Sequence, residues 1–144
     1  MTHENDIKRI RASVFGHLQD GFSGNVHWPG VEGADDDIWV EPWLNLTGVP
    51  ARARDFLYTA LLSINLFCKP TGNTYTLDEL AGELTALFKG VAVEVTNAEL
   101  VVKAYAKFAE PEIVDLGETT SPAQGHTLRQ YSWRCNGTVF PIAD

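Results

Sequence analysis

Residues 25–43, NVHWPGVEGADDDIWVEPW, set one histidine, His27, among five carboxylates, Glu32, Asp35, Asp36, Asp37 and Glu41, together with Trp28, Trp39 and Trp43. Imidazole and carboxylates at this density could hold a divalent metal or pass a proton between an acid and a base. Either chemistry needs spacing that makes the groups converge. Local metal sites show sets such as H-E-x-x-H or paired Cys/His, and none occurs here. Asp35, Asp36 and Asp37 are consecutive and lack the alternating acidic positions and closing glutamate of a calcium loop. They read as a solvated acidic turn between two extended segments. His27 has no carboxylate at a defined spacing to orient it, and reads as a packing or surface residue. An acidic site built from His27, Asp35, Asp37 and Glu41 is the one catalytic alternative.

Nucleophilic chemistry has no local signature. Ser13, Ser63 and Ser132 fall in predicted helix or strands, and the chain carries no G-x-S-x-G elbow and no Walker or dinucleotide glycine pattern. His3, His17 and His126 are scattered. Cys68 and Cys135 sit in apolar stretches without CxxC spacing and read as buried thiols of a reducing compartment. The expectation is a protein that is not an enzyme and takes no cofactor. The formal net charge of −8 argues against wrapping a nucleic-acid backbone. The basic run Lys8, Arg9 and Arg11 reads as the solvated face of a helix. Residues 1–20, MTHENDIKRIRASVFGHLQD, contain no apolar core of a secretory signal, so the expected compartment is the cytoplasm. Asn45-Leu46-Thr47 and Asn136-Gly137-Thr138, which match the glycosylation pattern of secreted chains, then carry no meaning. No stretch approaches the ~18 apolar residues of a membrane span.

The elements that must position these residues follow from periodicity. Ile7, Ile10, Val14 and Leu18 predict a helix over 5–19, with Asn5 or Asp6 as cap. Val26 to Trp28 leave room for a very short strand. Residues 37–47 read as extended, and Pro42, which cannot donate to a ladder, makes that strand an edge or a bulge. In residues 55–68, Phe56, Tyr58, Ala60, Leu62, Ile64, Leu66 and Cys68 alternate with a mixed set, which predicts a long central strand. After a Pro-Gly turn, Thr76 and Glu79 form a capping box for a helix to Lys89. Its stripe is Leu77, Leu80, Ala81, Leu84, Leu87 and Phe88, and Gly90 ends it. Residues 91–95 read as a strand. Residues 99–108 and 113–116, interrupted by Pro111, read as an extended arm with 128–136 as its antiparallel return and the polar loop 117–126 between them.

Helix, strands, helix, strands without regular crossovers predict one domain over 1–144. Its class is α+β: a mostly antiparallel sheet, two helices packed on one face, and a long two-stranded arm.

Taken together, the amphipathic first helix, N-V-x-W-P at 25–29, W-V-E-P-W at 39–43, the strand 56–68 and LDELAGELTALFKG at 77–90 give a layout that resembles the tail-terminator (tail-completion) proteins of long-tailed bacteriophages, the minor tail protein U-like family. The resemblance runs through most of the chain as an order of elements and transfers no binding residue one by one. It implies a structural virion protein assembled in the bacterial host cytoplasm: a ring, commonly a hexamer, that caps the tail tube, ends its polymerisation and joins it to the head. The partners would be copies of itself, the tube protein and head-tail connector proteins. DNA would pass through the lumen without specific binding, and no membrane would be involved. Another neck or connector ring is the alternative within that class. Candidate subunit or ring-ring contacts are Thr119, Thr120, Ser121 and Gln124 in the arm loop, and Trp28, Trp39 and Trp43, whose large apolar area with a polar handle suits either an interface or the core.

Overall fold

The structure is a computed structural model that describes residues 3–30, 36–48, 57–69, 74–121 and 126–142. In chain order the elements are α1 (His3–Gly21), β1 (Ile38–Gly48), β2 (Tyr58–Cys68), α2 (Thr74–Phe88), β3 (Ala92–Thr96), β4 (Val102–Phe108), β5 (Glu112–Ser121) and β6 (His126–Pro141). The strands form one sheet in the order β1-β2-β6-β4-β3, with β5 also paired to β6. All pairings between these strands are antiparallel. The fold class is α+β, as the order of elements predicts.

Alternation along β2 sets the layers. Tyr58, Ala60, Leu62, Ile64, Leu66 and Cys68 are all buried, and they join the α1 stripe Ile10, Val14 and Leu18 and the α2 stripe Leu77, Leu80, Ala81, Leu84 and Phe88 in one core. Trp133 of β6, with no exposed surface, fills its middle. Its indole N–H donates to Thr85 Oγ1 at 3.1 Å, and the Tyr131 hydroxyl donates to Asp78 Oδ1 at 2.6 Å, so α2 is tied to β6 by two polar anchors. That bond to Asp78 is the main reason the phenol's pKa is raised. α1 is pinned at both ends of the sheet. Arg9 Nε donates to Thr96 O at 2.9 Å and an Arg11 guanidinium nitrogen to Leu44 O at 3.0 Å.

Several boundaries differ from the sequence expectation. α1 begins at His3, ahead of the proposed caps at 5 or 6, and α2 begins at Thr74, which puts Thr76 inside the first turn. The run N-T-Y-T offers three residues that can cap, and periodicity does not rank them. Gly90 does end α2, at φ 71°, in the left-handed region that glycine enters without strain. Phe56, the Pro-Gly turn at 70–73, and the turn residues Glu32, Gly33 and Asp35 lie outside the described residues.

The arm is the larger correction. Residues 102–108 are not one limb with 113–116: β4 lies within the sheet between β3 and β6. β6 is a strand of 16 residues. On one side it pairs with β2 through residues 129–139. On the other it pairs first with β5 through 126–134, then with β4 through 137–141. Most of the expected arm is therefore central sheet, and only the tip of the β5–β6 hairpin runs past β2. The change of partner falls at Gly137, where a Cβ would lie 2.6 Å from Phe108 Cδ1. The loop expected at 117–126 is strand as far as Ser121 and again from His126. The β-branched pair Thr119 and Thr120 favours this extension.

Candidate interaction surfaces

The acidic stretch is organised by the outer edge of β1. Val40 accepts from His27 N at 2.8 Å and donates to Asn25 O at 2.9 Å, a single parallel bridge that lays residues 25–27 beside the strand. Backbone direction alternates, so residue 42 also faces outward, where proline's missing donor leaves the sheet intact. The bridge carries His27 onto the ring of Trp39, with centroids 5.0 Å apart and an interplanar angle of 14°, and Trp39 stacks in turn on Phe67 at 5.4 Å. His27 Nε2 meets Asp36 Oδ2 at 2.8 Å. The imidazole thus has the orienting carboxylate that local spacing did not reveal.

Burial raises the pKa of Glu41, against a smaller lowering by the nearby His27. The Trp39 indole N–H also favours the Glu41 carboxylate, but its geometry falls short of a hydrogen bond and the buried donor has no partner among the described residues. Asp37 is exposed, and Asp35 is outside the described residues. Among the described residues no nucleophile is bonded to His27 or Asp36. Cys68 Sγ is turned to Lys69 O at 3.2 Å, with its pKa raised first by burial and then by Asp37. Cys135 is pushed up to about 12 by burial. Among the described residues no three His, Cys, Asp or Glu side chains are grouped to hold a metal ion. What the cluster does is fasten 25–27 and 36 to the sheet.

The three tryptophans separate. Trp39 is only 2% exposed, which removes it from any surface, whereas Trp43 is 50% exposed. Trp28 is partly buried against Phe15, with ring centroids 5.3 Å apart. Trp28 and Trp43, with Arg11, Phe15, Pro29 and Leu44, line a largely apolar groove of about 360 Å³ along the outer edge of β1. Sequence reasoning named the two tryptophans and missed the contribution of α1. Arg11 and Phe15, one helical turn apart, were a signal for a shared face. Arg9 and Arg11, expected in the solvated face, instead bond backbone carbonyls.

At the far side of β6, β5 exposes Ile113 (46%) and Leu116 (48%). It bends at a bulge between Asp115 and Gly117, where Gly117 adopts φ 72°. Asp115 is held below the usual carboxylate range, chiefly by the Gly117 N–H at 2.8 Å and then by the Arg129 guanidinium at 2.7 Å. Thr119, Thr120 and Ser121 form the end of this strand, paired with Leu128, Thr127 and His126. Gln124 is outside the described residues.

The sheet face away from the helices carries Asn45, Ser63, Asn65, Ser132, Asn136 and Thr138 in cross-strand register. Among the described residues of β1, β2 and β6 where they pair, its charged members are Glu41 and Arg134, the latter bonded to Glu112 at 3.1 Å. Phe140 adds a ring that is 49% exposed. No helix of the described residues is long and apolar enough to cross a membrane.

No protein-family model matches the chain. No curated protein matches it in sequence. One solved structure is similar over 95% of this chain and 97% of its own, with a TM-score of 0.69 at 13% identity. The two share a fold across their full lengths.

Proposed function

We propose that this protein is a tail terminator, a structural component of a phage tail and neck that assembles into a ring, caps the tail tube, ends its polymerisation and presents a surface for head joining. Among the exposed apolar side chains, which also include Tyr75, Leu100, Val101, Val114, Phe140 and Ile142, the observation that carries the reading is the pair of surfaces at Trp43, in a groove at one edge of the sheet, and at Ile113 and Leu116, on the strand beyond the other flank of its two central strands. Exposed apolar area of this kind marks contact surfaces. The order of elements that resembles the tail-terminator family supports the same reading, and the low-charge outer face of β1, β2 and the part of β6 paired with them suits contact or a lumen through which DNA slides without specific binding. The partners are further copies of the chain, the tube protein and a connector ring. An enzyme centred on His27 has less support, since its imidazole is stacked on Trp39 and bonded to Asp36, with no nucleophile joined to them among the described residues.

The test is deletion of the coding sequence from the phage genome that carries it. Tails of uncontrolled length without heads are expected, with infectivity restored by the protein supplied in trans. Normal infectious particles without the protein would overturn the proposal.

A further inference from the structure

We propose that the groove beside β1 is the seat for the β5 strand of a second copy, so that the ring closes through one repeated head-to-tail contact. This inference deepens the ring reading and rests on it.

The two surfaces are complementary in chemistry. The groove is concave and aromatic, lined by Phe15, Trp28, Pro29 and Trp43 with one cation, Arg11. Arg11 spends one donor on Leu44 O and has no carboxylate partner among the described residues. Four of its five N–H donors remain for an acceptor from outside. The β5 strand, EIVDLGE at 112–118, interleaves apolar and acidic side chains, with Ile113 and Leu116 half exposed. Its first two acids are neutralised within the chain, Glu112 by Arg134 and Asp115 by Arg129. Glu118 is exposed and pairs with no cation among the described residues. Among the described residues, a cation in an apolar groove and an anion on a partly apolar strand thus remain without an ion-pair partner, on separate surfaces of one molecule.

Backbone pairing is a poor alternative at the groove. Pro42 removes an outward donor from β1, and Arg11 occupies the Leu44 carbonyl, so the contact is made by side chains. Groove and strand are distinct patches, so one copy can engage a different neighbour through each. β2 and β6 stand between β1 and β5, which separates groove and strand by three strand spacings, about 14 Å. A contact between unlike patches propagates from copy to copy until rotation closes it into a ring.

The experiment uses Trp43→Glu in the groove and Leu116→Glu on β5, both at half-exposed positions, with circular dichroism to check the fold. In sedimentation velocity the wild type is expected as a multi-subunit species. Each variant alone is expected to assemble at least about thirtyfold more weakly, the effect of losing an anchor in a contact centre. A one-to-one mixture should stop at heterodimers, since only one intact groove then meets one intact strand. The charge exchange gives a second readout. Arg11→Glu and Glu118→Arg should each weaken assembly, and the chain carrying both should regain it. Wild-type assembly by the Trp43 or the Leu116 variant, or by both charge variants taken singly, would overturn this contact and leave the ring reading standing on another surface. A wild type that stays monomeric at every concentration would overturn both.

Discussion

On the side of the sheet that carries α1 and α2, β2 and β6 present Leu62, Ile64, Leu66, Trp133, Cys135 and Val139, all buried. On the other side the same two strands present Ser63, Asn65, Ser132, Arg134 and Asn136, none of them buried. The backbone is common to both faces and the alternation of side chains divides the labour. One face supplies hydrophobic burial and therefore stability. The other contributes little to the core, so its residues are free to serve contacts outside the chain.

The contrast makes quantitative claims. The largest concerns Cys135, on the helix side, whose pKa of about 12 against the ordinary 9.0 leaves about a thousandfold less thiolate at neutral pH. Native protein should resist a thiol reagent and react only on unfolding, and labelling of the native state at the rate of a free thiol would show that the face is open. Trp133→Ala should destabilise by about 3 to 5 kcal/mol in denaturant titration, and Leu84→Ala, equally buried, by about 2 to 5 kcal/mol. A value below about 0.5 kcal/mol for either would mean that α2 does not close that side.

Glu41, on the other face, tests the intermediate case. Its pKa is raised above the ordinary 4.5, chiefly by burial, so its contribution to stability is fully present below that value and is lost as pH rises through the folded-state pKa. Glu41→Gln should therefore stabilise at neutral pH and have little effect in acid. Because the group is only partly buried, the gain is about a few tenths of a kcal/mol after discounting for screening. Loss of stability at pH 7 would reverse the assignment. Smallest of all, Ser63→Ala and Ser132→Ala should stay within about 0.5 kcal/mol in thermal or chemical unfolding. A larger loss would mean that the face without helices is also structural.

How far the chain could be read in advance follows the same division. The core face of β2 and the stripes of both helices were legible because burial repeats with the period of the element. Neighbour identity was not, since alternation says that 102–108, 112–121 and 126–141 are extended but does not say that β4 and β5 share one flank of β6. Trp39 and Trp43 show the limit within one strand. Both face the same side, yet Trp39 is enclosed by His27 from a separate bridge and by Phe67, whereas Trp43 has Ser63 as its cross-strand neighbour. The Asp36 contact to His27 and the groove were hidden for the same reason. The groove draws on residues 11, 15, 28, 29, 43 and 44, which only tertiary packing brings together.

Assembly is the claim on which the functional account depends, and negative-stain imaging of the purified protein, with its mass followed by light scattering, tests it most directly. Closed hexameric rings with a central opening are predicted. Monomers that form no ring, even at high protein concentration and with the tube protein added, would contradict the account.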